Sequence, residues 1–504
     1  MPTAVAPSPV TVPQVHEAGR PTGRHIGGAL SWKVASQAIT QGSRLVVALI
    51  LARLLDPSAY GIVAMALVFT SLFSVFGDFG LGAALIQRPV LTEEQKSTAF
   101  WMSVISATGL FALAVLIAPL VAAFYREPQV GPVLVALASC FVLTALSSTQ
   151  KALLTRDMDF RALELRQIAA TLVAAVVAIA LALSGAGVWA IVAQSIVFSL
   201  IAAVLLWLQS PWRPSRRFSR AALRDLGGFG ANVTGTQLLF FLNRNVDNLL
   251  IGRALGSAAL GVYNIAYQLM MLPLNQVAGI VADVLLPAFA RLQHDLRALR
   301  GTWMRAVRLT AVVVAPLMIG MVVTAGLAVP LVLGDQWAEA VPVVQVLAWV
   351  GLHQSLQRYN SGVLQAVDRT GPLLRFSVIS CGLSVVAFVA GLPWGVVGVA
   401  VAYLIASLIV APVYLRMTAR AVDLRMRSFV AAVAGPLVAA LLMGVVVVAV
   451  QQAAGAATTS PLLLLLASVT AGALAYAAIL PLTTRGIVAE VRGLLREARA
   501  RGGR

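Results

Sequence analysis

The chain of 504 residues is far more apolar than a soluble protein, because 60% of its residues are hydrophobic and 11% are charged, whereas a soluble domain carries roughly 25% charged residues. Backbone polar groups inside a bilayer must bond to one another, and the apolar runs here last about 20 residues without alternation, which indicates membrane-spanning helices and excludes a barrel. The formal net charge of +18 does not indicate a nucleic-acid partner, because most Lys and Arg residues fall in the breaks between apolar runs.

The sequence predicts about fourteen transmembrane helices. Six apolar runs precede a long basic break, six follow it, and two more precede a basic tail. The predicted spans are 30–54, 60–86, 98–124, 132–153, 167–184, 187–209, 229–252, 259–289, 307–333, 340–365, 372–392, 395–415, 430–450 and 461–482. The predicted domains are a disordered cytoplasmic tail (1–27), an N-lobe (28–209), a cytoplasmic interfacial linker (210–228), a C-lobe (229–415), helices 13 and 14 (416–483) and a basic cytoplasmic tail (484–504).

The basic residues predict the orientation of these spans. The two tails and the even-numbered loops hold 31 of the 37 Lys and Arg residues, whereas the odd-numbered loops hold Arg53, Arg126 and Arg253. Because Lys and Arg favour short cytoplasmic loops, we expect both termini in the cytoplasm. Anionic headgroups of the surrounding membrane lipids account for the positive charge. The stretch 213–224 and the C-terminal tail either lie on the membrane surface as amphipathic segments or are ordinary solvated linkers.

An internal repeat relates helix 1 and its exit loop to helix 7 and its exit loop. When the sequence is shifted by 200 residues, nine of thirty positions from residue 37 onward are identical, where chance gives roughly three. The identities include Arg44 with Arg244 and Gly61 with Gly261. A unit of six helices enters the bilayer from the same side in both copies, so the sequence predicts two pseudo-symmetric six-helix lobes plus a C-terminal helix pair. Duplicated lobes are typical of secondary transporters.

Three arginines lie inside predicted spans, in helices 1, 7 and 10. An ionised side chain at a helix centre costs on the order of 2.5 to 3.5 kcal/mol, so these residues point to a functional site. Each arginine has amide side chains on or near the same helix face, and we predict that these faces line a water-filled cavity between the lobes. The candidate substrate-binding residues are Arg44, Arg244, Arg358, Gln37, Gln41, Asn243, Asn248 and Gln354.

Three acidic residues in the same spans, Asp78, Asp247 and Asp283, are candidates for ion coupling or for salt bridges. Arg244 and Asp247 are three residues apart on one helix, so they either pair with each other or face the cavity. Asp78 and Asp283 lie late in their spans, where a hydrated helix-end residue is the alternative. We predict no bound cofactor and no metal, with coupling to H⁺ or Na⁺ left open.

The predicted cavity favours an anionic substrate. Guanidinium groups bind phosphate through two bonds at once, and amides both donate and accept. The sequence contains no Walker motif, no nucleophile motif and no paired metal ligands. We therefore predict a transporter and not an enzyme.

Several stretches resemble Wzx-type polysaccharide exporters. They include Gly-Asp-Phe-Gly-Leu-Gly at 77–82 and Leu-Gly-Val-Tyr at 260–263. The full set of matching stretches is 51–61, 76–88, 91–94, 97–101, 247–253, 260–267 and 392–403. Over about residues 25–480 the chain is similar to WzxC-like lipopolysaccharide or exopolysaccharide biosynthesis proteins, which belong to the polysaccharide-transport branch of the MOP superfamily.

The resemblance implies a MATE/MOP-like fold and a flippase in the inner membrane of a bacterium. It implies that the substrate is an undecaprenyl-pyrophosphate-linked oligosaccharide repeat unit, that transport proceeds by alternating access driven by an ion gradient, and that a polysaccharide polymerase and glycosyltransferases are partners. Pyrophosphate contact is assigned to Arg44, Arg244 and Arg358 by their chemistry and not by a family motif.

Two other functions stay open at this point. A MATE-like ion-coupled exporter of small molecules would need an acidic lumen, and three membrane aspartates equal the three membrane arginines in number. A scaffold within a glycan-assembly complex would transport nothing.

Overall fold

The computed structural model describes residues 40–77, 91–157, 159–216, 218–219, 231–279, 288–455 and 460–484, together with residues 82, 85, 86 and 285. The regular elements in these ranges are all helices. They are α1 (40–54), α2 (Pro57–Gly77), α3 (Glu93–Tyr125), α4 (Val130–Arg156), α5 (Phe160–Leu183), α6 (Val188–Gln209), α7 (Ala231–Pro273), α8 (Leu296–Leu333), α9 (Ala340–Gln357), α10 (Asn360–Ala366), α11 (Thr370–Gly391), α12 (Gly395–Ala421), α13 (Met426–Gly455) and α14 (Pro461–Thr483).

The helices follow the predicted spans, which confirms the all-α membrane fold. Among the described residues, ten helical segments are long and apolar enough to cross a membrane. The number of about fourteen stays a prediction. Helix α1 is described over only part of its predicted span, and the apolar segment Thr370–Ala421 in that count contains both α11 and α12.

One predicted helix boundary is confirmed, and another differs from the structure. The predicted break between helices 7 and 8 is present, because α7 consists of two helical halves that meet at Gly256, where the backbone is not helical and φ is 88°. Glycine adopts this left-handed conformation without the penalty of a Cβ. The predicted helix 10 is instead divided, because α9 ends at Gln357 and α10 begins at Asn360. Arg358 therefore lies at a helix break and not inside a continuous helix.

Side-chain caps begin three long helices at their predicted cytoplasmic ends. Thr92 and Gln95 form a reciprocal capping box on α3, with N···O distances of 3.2 and 3.1 Å. Asp159 accepts from the first turn of α5 at 3.1 Å, and Asp295 accepts two bonds from the first turn of α8 at 3.0 and 2.9 Å. A cap of this kind contributes about 1 kcal/mol. Polar caps at these ends agree with a position at the water interface.

The lobes approach each other most closely where α2 crosses the second half of α7. A Cβ built on Gly61 would lie 1.7 Å from the carbonyl oxygen of Ser257, and one built on Gly261 would lie 1.8 Å from that of Pro57. Both pairs are related by the 200-residue repeat, so the contact is reciprocal, as expected on a pseudo-two-fold axis. Small residues permit such close backbone contact between membrane helices.

The terminal pair α13 and α14 packs on α8 of the C-lobe. The Tyr476 hydroxyl donates to the carbonyl oxygen of Val312 at 2.7 Å, and the Gln451 amide donates to that of Val323 at 3.1 Å. The largest cluster of buried apolar residues runs from α1 and α2 through α7, α8 and α9 to α13. One apolar core therefore joins both lobes and the terminal pair.

The first part of the predicted interfacial linker is an extended strap on the N-lobe. The backbone N and the Oγ of Ser215 bond to Ser97 Oγ at 3.0 and 2.9 Å, and Trp101 Nε1 donates to the carbonyl oxygen of Ser215 at 2.8 Å. Trp212 Nε1 donates to Glu93 Oε2 at 2.8 Å. Residues 220–230 and the C-terminal tail lie outside the described residues, so their surface location stays a prediction.

Candidate functional site

The lobes are sealed to each other at the end that the basic residues predict to be extracellular. Trp337 is fully buried, and its Nε1 donates to the carbonyl oxygen of Ala52 at 2.7 Å. Gln336 Nε2 donates to the same oxygen and to that of Arg53, each at 3.1 Å. The ring of Tyr60 meets Trp337 edge to face, with centroids 5.3 Å apart. These contacts close the space between the lobes at this end.

The N-lobe holds a cavity between α1, α2, α4, α5 and α6, which we call the N-lobe cavity. It has two compartments of about 500 and 670 Å³. Arg44, Ser74, Phe141, Phe198 and Ser199 line both compartments, so the two are continuous. The guanidinium carbon of Arg44 lies 5.9 Å from the centre of the Phe198 ring. Arg44 therefore occupies the junction of the compartments.

The larger compartment is cationic. Lys151 on α4 and Arg166 on α5 line it together with Arg44, and no carboxylate is present among its described lining residues. Arg166 is only 8% exposed, and its Nε has no hydrogen-bond partner among the described residues. Three like charges around one space strongly favour the entry of an anion.

Half of the residues that line the smaller compartment carry hydroxyl or amide groups. Thr171 Oγ1 is buried there without a described hydrogen-bond partner. Groups of this kind both donate and accept hydrogen bonds, which suits a polyhydroxylated molecule. The polar uncharged lining residues are Thr70, Ser71, Ser74, Thr171, Gln194, Ser195 and Ser199.

Asp247 lies in a buried polar cluster of the C-lobe. The kink at Gly256 folds α7 back on itself and brings Tyr263 beside Asp247. The Tyr263 hydroxyl donates to Asp247 Oδ2 at 3.1 Å, and the backbone N of Asn248 donates to Oδ1 at 2.8 Å. The Tyr263 ring stacks on that of Tyr267 with centroids 6.2 Å apart. Because a buried carboxylate needs such partners, the cluster keeps Asp247 in an apolar interior.

The remaining described candidates do not line the N-lobe cavity. Gln354 Nε2 donates to the Tyr403 hydroxyl at 2.8 Å and so joins α9 to α12. Arg358 is exposed beyond the end of α9, and Gln41 is half-buried on α1. None of these three side chains lines the cavities described here. Of the predicted binding residues, the structure places Arg44 in a cavity.

Other candidates fall outside the described part of the chain. Gln37, Asp78 and Asp283 are outside the described residues, and so are the side chains of Asn243 and Arg244. The predicted pairing of Arg244 with Asp247 and the meeting of arginines from both lobes therefore stay predictions.

A second cavity, of about 590 Å³, lies where both lobes meet the terminal pair. Leu49 on α1 and Leu269 on α7 border it together with residues of α8, α13 and α14. Its described lining is apolar except for Thr324, Ser468 and Tyr476. This apolar cavity suits a hydrocarbon chain better than a polar group.

The sequence interpretation missed Lys151 and Arg166. Both lie near the ends of their predicted spans, and they were counted with the basic loop between helices 4 and 5. A signal was present on α4, where Thr144, Ser148, Lys151 and Thr155 recur at helical spacing and so form one polar face. All four line the larger compartment.

Comparisons with known proteins agree with this architecture. A family described as polysaccharide biosynthesis protein matches residues 50–342. The chain is 29% identical to the teichuronic acid biosynthesis protein TuaB of Bacillus subtilis, over 80% of this chain and 84% of that protein. It is 27% identical to the lipopolysaccharide biosynthesis protein WzxC of Escherichia coli, over 76% and 78%. It is 30% identical to the succinoglycan biosynthesis transport protein ExoT of Rhizobium meliloti, over 63% and 65%.

Two solved structures share the fold. The lipid II flippase MurJ in an inward closed conformation aligns with a TM-score of 0.70 and 15% identity, over 90% of this chain and 100% of that chain. An inward-facing multidrug resistance MATE family transporter of the MOP superfamily aligns with a TM-score of 0.57 and 14% identity, over 77% and 94%. At these identities the likeness concerns the fold alone, and it confirms the predicted MATE/MOP-like architecture.

Proposed function

Because the chain belongs to the polysaccharide biosynthesis protein family, we propose that it is a flippase that moves undecaprenyl-pyrophosphate-linked oligosaccharide repeat units across the plasma membrane of a bacterium. The product of this step would serve cell-surface polysaccharide synthesis. Both termini lie in the cytoplasm in this proposal, as the distribution of basic residues predicts. A polysaccharide polymerase and glycosyltransferases are the proposed partners, because they consume and supply such units.

The observation that carries the proposal is the N-lobe cavity. Its larger compartment is cationic, and its smaller compartment carries hydroxyl and amide groups. A lipid-linked oligosaccharide needs the same three environments that the chain provides: cations for the phosphates, hydrogen-bonding groups for the sugars and an apolar surface for the polyprenyl tail. The apolar cavity at the terminal pair suits the tail. An exporter of organic cations would instead need an acidic lumen, and the described lining of the N-lobe cavity contains no carboxylate.

The position of the seal supports the proposal of alternating access. The lobes are closed at the predicted extracellular end by the contacts of Trp337 and by the reciprocal packing of Gly61 and Gly261. Substrate would enter from the cytoplasmic leaflet in this state. Release to the outer leaflet requires that these contacts separate while the lobes close at the opposite end, which is how two-lobed transporters expose one site to each side in turn.

We propose that Asp247 is the group that couples transport to an H⁺ or Na⁺ gradient. It is a buried carboxylate in the C-lobe, and its described partners are the neutral Tyr263 hydroxyl and a backbone N–H. A buried carboxylate that accepts hydrogen bonds from neutral donors can gain a proton or a cation. Binding there would alter the packing of α7, which carries both the kink and the inter-lobe contact.

The names of relatives and neighbours that state an activity are those of transport proteins and flippases, in agreement with a protein that is not an enzyme.

Reconstitution tests the proposal directly. Full-length protein is placed in lipid vesicles that carry undecaprenyl-pyrophosphate-linked oligosaccharide, and translocation is followed by accessibility of the sugar to a lectin added outside. Arg44→Ala should abolish translocation, and Arg44→Lys should restore part of it, because Lys keeps the charge and loses the bidentate geometry. Arg161→Ala is the matched control, since Arg161 is exposed on α5 and does not line the cavity. Normal translocation by Arg44→Ala would refute the assigned role, and no translocation by the wild type would refute the function.

A further inference from the structure

The face of α7 that packs on the N-lobe continues past the glycine contact with two amide side chains. Ser257 and Gly261 meet Gly61 of α2, and Asn264 and Gln268 follow on the same face, because these four positions have i, i+4, i+7, i+11 spacing. We infer that Gln268, oriented by Asn264, contacts the sugars of the lipid-linked substrate from the C-lobe side. This inference rests on the proposed function, and it names a contact residue outside the N-lobe cavity.

The exposure of this face changes along the helix. Gly261 is buried, and Ile265 is only 4% exposed. One turn further, Gln268 is exposed, and Leu272 on the same face is 36% exposed. The face that is covered beside the glycine contact is therefore uncovered toward the predicted cytoplasmic end. We call the space that this uncovered face borders the inter-lobe cleft.

Gln268 cannot lie against hydrocarbon at this position. It belongs to the apolar segment Asn245–Gln276, which is long enough to cross a membrane. An amide turned toward lipid would leave its donors and acceptor without partners, and polar residues in spanning helices face water or the interior of the bundle. The next residue, Leu269, borders the apolar cavity at the terminal pair. Adjacent sides of α7 thus offer separate surfaces to a polar head group and to a hydrocarbon tail.

A hydrogen bond along the helix orients the Gln268 amide. Its Nε2 donates to Asn264 Oδ1 at 2.5 Å, which uses one of the two N–H groups and leaves the other N–H and the carbonyl oxygen for a ligand. Sugar hydroxyls both donate and accept, so they can bond to both remaining groups. Because an amide carries no net charge, it suits the sugars better than the phosphates.

The internal repeat shows that the fold does not require these amides. The 200-residue shift relates Asn264 and Gln268 to Ala64 and Val68, which are 3% and 2% exposed. The N-lobe copy thus has buried apolar residues at the two equivalent positions. An amide pair that is confined to one copy and is uncovered there serves something other than helix packing, and a polar ligand in the inter-lobe cleft accounts for it.

Gln268 and Arg44 lie at similar depths in opposite lobes. Gln268 is twelve residues beyond the kink at Gly256, or about 18 Å from the predicted extracellular end at about 1.5 Å per residue. Arg44 is ten residues before the end of α1, or about 15 Å from the same side. Both are near the middle of a hydrocarbon core about 30 Å thick. A head group between the lobes at this depth can therefore meet the cation on one wall and the amide on the other.

Binding of two lipids that differ only in their sugars tests the inference. Full-length protein in phosphatidylcholine nanodiscs is titrated with undecaprenyl diphosphate and with the same lipid carrying the oligosaccharide of the host cell, and binding is followed by native mass spectrometry. Gln268→Leu should weaken binding of the sugar-bearing lipid by roughly three- to tenfold, the loss expected for hydrogen bonds between neutral groups, and should leave binding of undecaprenyl diphosphate unchanged. Gln365→Leu is the matched control, because Gln365 is exposed on α10, and it should bind both lipids like the wild type.

The outcomes separate this inference from the proposed function. Gln268→Ala is a second variant that adds no apolar bulk to the inter-lobe cleft, and it should show the same selective loss. Unchanged binding of the sugar-bearing lipid by both variants would overturn the inference, and so would an equal loss for both lipids, which would indicate a structural role. If the wild type translocates the lipid-linked oligosaccharide and both variants bind it like the wild type, the inference fails and the proposed function stands. If the selective loss is observed but the wild type does not translocate, the sugar contact stands and the proposed function fails.

Discussion

Gly61→Ala places a methyl group in the tightest contact between the lobes. The new Cβ would lie 1.7 Å from the carbonyl oxygen of Ser257, and ordinary van der Waals contact begins at 3.4 Å. Helices α2 and α7 would have to separate by about 1.7 Å, the difference between these distances. Overpacking of this kind costs about 1–3 kcal/mol, against which alanine gains only about 0.5–1 kcal/mol of helix stability over glycine. The closed arrangement should therefore lose stability on balance.

Thermal unfolding in detergent measures this loss. Gly61→Ala should lower the melting temperature by a few degrees, and Gly261→Ala should do the same because its contact with Pro57 is equivalent. Gly109→Ala is the matched control, since Gly109 lies in α3 with nothing within 4 Å of a built Cβ, and there the substitution should be neutral or stabilising. Equal melting temperatures for Gly61→Ala and Gly109→Ala would show that the reciprocal glycine contact does not hold the lobes together.

Three further predictions concern single side chains. Asp247→Asn keeps an acceptor for the Tyr263 hydroxyl, so the protein should stay folded while translocation loses its dependence on an imposed H⁺ or Na⁺ gradient; a retained dependence would rule out Asp247 as the coupling group. Trp337→Phe removes the hydrogen bond to the carbonyl oxygen of Ala52, worth about 1 kcal/mol, and should therefore loosen the seal. A cysteine introduced at position 52 should then react several times faster with an impermeant maleimide added outside. An unchanged labelling rate would contradict the seal. Asp295→Ala removes a cap from α8 and should cost about 1 kcal/mol of unfolding free energy, with Asp295→Asn much less affected in the same urea or thermal titration.

The repeat and the membrane fold could be predicted because their signals are carried by many residues at once. Long apolar runs specify spanning helices regardless of any single position. The shift of 200 residues relates Gly61 to Gly261 in the sequence, and the structure brings these two glycines into contact. Even so, the sequence could not show that the equivalent positions touch, because a repeat fixes an axis of symmetry but not which residues lie on it.

The candidate site could be predicted only in part, and the reason is the direction of side chains. Arg44 was found because a charge at the centre of an apolar run is costly wherever it points. Lys151 and Arg166 lie near helix ends, where charged residues are ordinary, so their position in a cavity depends on how α4 and α5 pack. The role of Arg358 stays a prediction, and the structure shows only that the side chain is exposed just after α9 ends at Gln357. Hydropathy does not reveal such a break.

Asp247 and Tyr263 contact each other in the C-lobe, and the N-lobe copy of the repeat has different residues at the two equivalent positions. This difference shows whether the fold itself needs a carboxylate there. The 200-residue shift relates Asp247 and Tyr263 to Val47 and Val63, both of which are buried, at 6% exposure each. The N-lobe thus fills the same places with apolar side chains, and apolar replacements of a buried polar pair are often neutral or stabilising. The fold therefore does not require a carboxylate at this position. Its presence in the C-lobe alone, opposite a cationic cavity in the N-lobe, fits a division in which one lobe binds the anionic substrate and the other senses the driving ion.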